Sequence, residues 1–413
     1  MSMRSGRKLL SNFFSLSAIQ GLGFILPLVT FPYLVRVLGV ENYGLVSFSL
    51  SVIMFFDILI EFGFNLSATK EISVHRNNPK KVAEIYASVM FLKLGLVAVS
   101  LLFFFAMIMF FDLFSENKLL YFVTFGLVIG NALFPLWFFQ GMEKMKYIAY
   151  LHISTKLFFT VFIFILVTDS SDYLYVPALN TFGALMSGGI SIWIVRKIFL
   201  VEFVFPTRKA VIDQFLKSYH FFLSRLANDG SRHYTLTMIG LYFGNTVVGY
   251  YAMVEKLLYA FMSLCGIVCQ TIYPHMAKER DLRFYKKIFS LVVLSVSVGL
   301  IFSITIRVEL LDFVFGVESE LAADMFFIMF VGAFFGAISA LLGYPLLAAY
   351  GYSRYANNTL IVAAVISALY VTYAAIVAKD IYLVVFSVVV YTCISAILRI
   401  YYVNKVKDFI VNG

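Results

Sequence analysis

The sequence predicts an all-α, polytopic membrane protein: twelve transmembrane helices in two six-helix bundles around a central cavity. Three observations carry this expectation. Hydrophobic residues make up 62% of the 413 residues and charged residues 13%, against about 45–50% and about 25% in soluble domains. The apolar residues gather into twelve long runs, and a spanning helix needs about 20 such residues. The basic residues fall mostly on alternate connections between those runs, as the positive-inside rule requires.

The runs lie near 10–38, 42–68, 82–111, 118–140, 146–168, 173–199, 217–243, 247–274, 288–306, 321–349, 355–378 and 380–404. Lipid offers no hydrogen-bond partners, so a continuous apolar run must bond its own backbone as a helix. A β-barrel would show alternating segments of about 10 residues instead. Arg4, Arg7 and Lys8 precede the first run, and no small-x-small cleavage site follows it. The run therefore reads as a first span with a cytoplasmic basic flank, not as a removable signal. Pro27 and Pro32 are its candidate kinks. The longest inner connection holds Pro206-Thr207-Arg208-Lys209. It reads as a basic linker or surface helix over 201–216, between an N-terminal bundle (1–200) and a C-terminal bundle (217–413). Outer loops are short, the largest lying around Arg307 to Glu320.

With the N-terminus taken as cytoplasmic, inner segments hold 23 of the 32 Lys and Arg residues. Outer segments hold only Arg36, Lys118, Arg307 and Lys379. Both termini are thus expected in the cytoplasm, and the net charge of +9 is topology rather than a nucleic-acid surface. An internal repeat supports two similar halves. Gly39-Val40-Glu41-Asn42-Tyr43-Gly44 and Gly244-Asn245-Thr246-Val247-Val248-Gly249 share their glycine spacing at an offset of 205 residues. Pro135…Gly141 and Pro345…Gly351 do the same at 210. A parallel repeat of this kind suits two halves rocking about a central site.

Nine charges are left over as the informative ones, deep within the runs: Lys93, Lys156, Arg225, Arg232, Lys256, Asp57, Glu61, Asp229 and Glu255. Each costs roughly 2.5–3.5 kcal/mol at mid-membrane, so each should face a cavity or a partner. Arg225, Asp229 and Arg232 are spaced i, i+4, i+7 and share one helix face. Two guanidiniums on one face can grip a diphosphate in forked geometry; the alternative is a staple to a neighbouring helix. Lys93 and Lys156 stand roughly 15–16 Å into their spans. They either add positive potential to a cavity or snorkel to the surface. Asp57 and Glu61, i and i+4, form a pair of carboxylates suited to proton coupling, or else buried ion pairs with Lys93 or Lys156. Glu255 and Lys256 are adjacent and point about 100° apart.

Other chemistries are not signalled. Cys265, Cys269 and Cys393 sit in apolar runs without acid or His partners, so neither a disulfide scaffold nor a zinc site is expected. The five His form no metal pattern. There is no G-x-x-x-x-G-K-[ST] and no G-x-G-x-x-G. No cofactor is expected.

Several stretches resemble one family. Leu26-Pro27-Leu28-Val29-Thr30-Phe31-Pro32-Tyr33-Leu34-Val35-Arg36, with Gly39 and Glu41-Asn42-Tyr43-Gly44, is similar to the opening signature of bacterial O-antigen flippases, the Wzx family. Glu61-Phe62-Gly63-Phe64-Asn65-Leu66-Ser67-Ala68-Thr69 and Pro135 to Lys146 resemble later family patches. Glu255-Lys256 and Gln270-Thr271-Ile272-Tyr273-Pro274 do so more loosely. The resemblance implies the multidrug/oligosaccharidyl-lipid/polysaccharide exporter superfamily and its two six-helix bundles. It implies a non-enzymatic flippase that carries an undecaprenyl-diphosphate-linked oligosaccharide across the bacterial inner membrane, with ion-coupled alternating access. Membrane lipid, an O-antigen polymerase and a chain-length regulator are the further partners implied; nucleic acid is not. Arg36, Glu61, Gln140, Glu143, Lys144, Glu255 and Lys256 sit at matching positions.

On this reading Arg225 and Arg232 hold the diphosphate, helped by Lys93, Lys156 and Lys256. Asp57, Glu61, Asp229 and Glu255 are the cavity acids. Two rivals remain open. An integral-membrane polymerase or glycosyltransferase would need a catalytic outer loop, and no acid/base constellation stands in these short loops. A MATE-type drug or cation exporter would favour a net acidic cavity, whereas five bases face four acids here.

Overall fold

The computed structural model describes residues 3–202 and 204–406, with side chains described from Leu26 onward. The basic flank Arg4, Arg7 and Lys8 and the terminal Lys407 lie outside the described side chains. The described residues are helical almost throughout and contain no strand. Fifteen α-helices follow in order: α1 (Met3–Glu61), α2 (Phe64–His75), α3 (Pro79–Phe110), α4 (Asp112–Ser115), α5 (Lys118–Leu133), α6 (Leu136–Gly141), α7 (Met145–Leu166), α8 (Tyr175–Lys197), α9 (Arg208–Phe243), α10 (Asn245–Glu279), α11 (Leu282–Thr305), α12 (Arg307–Phe315), α13 (Glu320–Leu341), α14 (Ser353–Tyr373) and α15 (Ile381–Lys405). Wider π-helical turns extend α13 over Leu342–Ala348 and α14 over Ala374–Ala378.

Among the described residues, ten helical stretches are long and apolar enough to cross a membrane, and the first, Leu26–His75, runs for 50 residues. Their outward side chains are those of a lipid-facing surface: Leu102, Met109, Phe110 and Leu369 are each more than two-thirds exposed. The chain is a multi-pass membrane protein.

The helix boundaries follow from local chemistry. Within α1 the backbone stays helical through Pro27 and Pro32 and breaks instead at Gly39 (φ 75°, ψ 163°). The joint between the first two apolar runs is therefore at a glycine. The reason is conformational: that φ/ψ region is essentially reserved for glycine. Gly244 (φ 84°, ψ 172°) makes the same break between α9 and α10. Gly63, left-handed at φ 77°, turns α1 into α2. Asn78 caps α3 through Lys81 N–H, with Pro79 in the first turn, where its missing N–H costs nothing. Asp281, Ser319 and Asp380 cap α11, α13 and α15. Pro345, which cannot donate a backbone bond, sits in the π-helical turn.

The chain divides into two compact units. Unit 1 takes residues 1–38 and 49–225. Its core joins α2, α3, α6 and α8 through Phe64, Ile72, Val89, Trp137, Phe138 and Val195. Trp137 is fully buried, whereas Trp193 on α8 is 57% exposed. Phe62 stacks face to face on Phe215 and Phe222 of α9 at 4.5 and 4.6 Å between centroids. Small residues bring α5 and α8 close: a Cβ at Gly130 would meet Ala184, and one at Gly188 would meet the Gly130 carbonyl. Close approach through small side chains is how helices associate where lipid removes the hydrophobic drive.

Unit 2 takes residues 39–48 and 226–413. In it α13 packs on α15 and α10, and α14 packs on α15. All three cysteines lie here, unbridged.

Candidate functional site

In unit 1 four of the intramembrane charges form one connected cluster. Glu61 is buried at the end of the long α1, four residues after the buried Asp57. Lys93, halfway along α3 and fully buried, donates from Nζ to Glu61 Oε1 at 2.6 Å and to the Asn131 carbonyl at 3.4 Å. Asn131, near the end of α5, donates from Nδ2 to Asp57 Oδ1 at 2.9 Å. Arg225 on α9 closes the group. Its Nη2 lies 3.4 Å from Asp57 Oδ2 and its Nη1 lies 3.6 Å from Glu61 Oε2. Two acids thus meet two bases, and the ionised cluster is neutral. Its contacts are unequal: Lys93 grips Glu61 tightly, while Arg225 touches both acids at long range. Glu61 Oε2 accepts no hydrogen bond.

In unit 2 Arg232 makes a forked pair with Glu255. Nε lies 2.6 Å from Oε1 and Nη2 lies 3.0 Å from Oε2. The guanidinium also lies over the Tyr259 ring, 5.0 Å from its centroid. Arg232 side-chain exposure is 37% against 9% for Glu255. Arg232, Glu255, Tyr251 and Tyr259 line a cavity of about 230 Å³. Asp229, half-buried, accepts from Asn228 Nδ2 at 2.8 Å.

The remaining candidates are placed differently. Lys156 is exposed on α7, one turn after His152, and Lys256 is half-buried beside Glu255 on α10. Arg225 and Arg232, expected to share one gripping face, belong to unit 1 and unit 2 respectively and engage different acids.

The resembling stretches pack against one another. Thr69 Oγ1 of α2 lies 3.2 Å from both the Trp137 carbonyl and Gln140 Oε1. Arg76 pairs with Glu143 at 2.5 Å. A Cβ at Gly141 would strike Ile72. Much of this pattern therefore encodes the α2–α6 contact.

Residues 9–279 match a family described as polysaccharide biosynthesis protein. The chain belongs to this family. Two relatives carry the name "Putative O-antigen transporter". The one from Escherichia coli (strain K12) is 29% identical over 266 residues, and the match spans 64% of each chain. The one from Shigella dysenteriae is 26% identical over 367 residues, 87% of this chain and 91% of that one. Among solved structures, an inward-facing MATE family multidrug resistance transporter of the MOP superfamily superposes with TM-score 0.71 at 12% identity, covering 94% of this chain and 96% of that one. The lipid II flippase MurJ, inward closed, superposes with TM-score 0.70 at 13% identity, covering 94% and 87%. The fold of this polysaccharide biosynthesis family member is that of MOP-superfamily transporters.

Two polar residues escaped the sequence reading. Asn131, in the apolar run Gly126–Ala132, joins Asp57 to Lys93. Arg399 counts among the cytoplasmic-end bases by position, yet it is 4% exposed and bonded within unit 2. Its place six residues before the end of α15 was the available signal.

Proposed function

We propose that this chain is a flippase for an undecaprenyl-diphosphate-linked O-antigen oligosaccharide, moving it from the cytoplasmic to the periplasmic leaflet of the inner membrane. The observation that carries this reading is the forked Arg232–Glu255 pair on a cavity wall. A carboxylate and a phosphate compete for a guanidinium through the same geometry. An arriving diphosphate displaces Glu255 from Arg232, and Glu255 reclaims the arginine when the lipid leaves. Arg225, held at 3.4–3.6 Å by Asp57 and Glu61, exchanges partners in the same way. Lys93, Lys156 and Lys256 supply positive potential. Asp57, Glu61, Asp229 and Glu255 are the acids that return the cations to rest, and a proton taken up by one of them couples the cycle to an ion gradient. No bond is made or broken, so the chain acts without catalysis. Twelve crossings, with Gly39 and Arg208–Phe243 supplying the two beyond the ten apolar stretches, put both termini in the cytoplasm. An O-antigen polymerase and a chain-length regulator then act on the delivered lipid.

The cation-exporter reading is disfavoured by Arg399, whose hydrogen-bond partners are all neutral oxygens. A buried base without an acid repels a cationic drug.

A charge swap tests the proposal. In a transporter-null strain, Arg232→Gln and Glu255→Gln should each abolish surface O-antigen at normal expression. The double variant Arg232→Glu/Glu255→Arg restores the pair but moves the guanidinium to α10. It should stay inactive if Arg232 meets the diphosphate. Full rescue by the swap would reduce the pair to a staple and overturn the reading.

A further inference from the structure

Arg399 is the most deeply buried arginine among the described residues and the one least explained by transport of a diphosphate. Its guanidinium ties three helices together. Nε donates to Thr359 Oγ1 at 3.1 Å and Nη2 to the Ala356 carbonyl at 2.9 Å, both on α14. Nη1 donates to the Ser339 carbonyl at 2.5 Å and to Ser339 Oγ at 3.1 Å, on α13. All four acceptors are uncharged. The full positive charge therefore stays in place, and one of the five N–H donors is left over. An arginine needed only as glue would be cheaper to bury beside a carboxylate.

The charge has a chamber beside it. Arg399 lines a cavity of about 480 Å³ within unit 2, together with Asn228, Gln270, Tyr273, Tyr344 and Tyr391. The volume lies within the roughly 300–1,000 Å³ of small-molecule sites. It adjoins the Arg232 cavity, with which it shares Asn228 and Tyr391. Beside an apolar wall that includes Ala340 and Leu360, its polar lining sets amides, phenols and hydroxyls around one cation. Amides give and accept hydrogen bonds in a plane, as vicinal hydroxyls require. Phenol rings offer an apolar face and a polar rim. The one remaining N–H selects an anionic oxygen, and the amides and phenols around it suit a sugar ring rather than a bare phosphate.

We propose that this cavity is a glycan subsite for an acidic monosaccharide, a pyranose carrying a carboxylate. The sugar ring lies among Tyr273, Tyr344 and Tyr391, its hydroxyls meet Asn228 and Gln270, and its carboxylate takes the remaining Arg399 donor. The proposal rests on the flippase reading and names the part of the cargo that unit 2 reads. Ser339, Ala356, Thr359 and Arg399 lie at helix ends that the charge pattern assigns to the cytoplasm. There the subsite would meet the glycan before the lipid head crosses.

Cys269 lines the same cavity and provides the assay. The purified full chain, carrying Cys265→Ser and Cys393→Ser, is alkylated with N-ethylmaleimide in the presence of sodium glucuronate, glucose or inorganic phosphate. Glucuronate at about nine times its Kd should slow Cys269 alkylation about tenfold, following 1 + [L]/Kd. Glucose and phosphate at the same concentration should change it less than about twofold. Arg399→Gln should remove the protection. Gln270→Ala, which spares every partner of Arg399, should weaken it if Arg399→Gln fails to fold. Equal protection by glucose or by phosphate overturns the proposal, as does absence of protection. If Cys269 proves unreactive, titration calorimetry of glucuronate into the same protein and its Arg399→Gln variant replaces the readout, and equal or absent heats overturn the proposal. The readout is binding of a free sugar to purified protein. It can fail while the charge-swap test of transport succeeds, and the reverse.

Discussion

Gly44 and Gly249 occupy equivalent places in the internal repeat and touch each other's helix in reciprocal fashion. A Cβ on Gly44 would overlap the carbonyl of Asn245, and a Cβ on Gly249 would overlap the carbonyl of Val40. Val40 and Asn245 are separated by the same 205 positions as the two glycines. The repeat is therefore expressed as a local two-fold contact inside unit 2. Gly44→Ala and Gly249→Ala should each destabilise the protein by about 1–3 kcal/mol through overpacking against backbone. Thermal unfolding followed by circular dichroism checks this; a loss at one position only would mean that the contact is not reciprocal.

Gly39 and Gly244 separate a second effect from the first. A Cβ at either position meets nothing within 4 Å, yet both backbones occupy the glycine region. Alanine at each should therefore cost about 1–3 kcal/mol through backbone strain alone. Asparagine should not recover the loss, since ψ near 163–172° is far from the left-handed helical well that asparagine tolerates. Melting curves of the Ala and Asn variants, measured side by side, decide the point.

Lys93 and Glu61 should behave as a buried pair whose halves cannot be removed singly. Glu61→Gln strands a fully buried ammonium and should cost about 3–5 kcal/mol. Lys93→Met combined with Glu61→Gln should recover most of that stability while leaving surface O-antigen absent in complementation. Recovery of both stability and transport by the double variant would remove the cluster from the mechanism.

Gly343 makes room for Arg399. A Cβ there would lie 2.6 Å from Arg399 Nη1. Gly343→Ala should cost about 1–3 kcal/mol, and Arg399→Lys should absorb part of that cost because the ammonium lacks the clashing Nη1. The coupling energy from a double-mutant cycle should therefore be non-zero and favourable. Strict additivity would contradict the contact.

The helical membrane fold could be read from the sequence because lipid leaves an apolar run no other hydrogen-bonded form. The break at Gly39 is legible in its motif, while Pro27 and Pro32 stay within helical backbone. The second repeat element is only half realised. Phe134 and Pro135 interrupt the helix between α5 and α6, while Pro345 is absorbed into a π-helical turn. Proline leaves that choice to its neighbours. Among the charges, Asp57 and Glu61 stood out by spacing, and so did the α9 stripe. Lys93 was legible as a buried partner for the first pair, and Glu255 as a charge on the next helix; Asn131 was not, because a single uncharged amide in an apolar run is no signal. Arg399 was hidden by its nearness to the end of an apolar run, where a long side chain ordinarily reaches water.

Both tryptophans, Trp137 and Trp193, belong to unit 1, and Cys265, Cys269 and Cys393 all belong to unit 2. The native chain thus carries an optical reporter in one half and a chemical reporter in the other. Indole emission and thiol labelling, recorded on one unmodified sample during heating, would time the loss of each half separately.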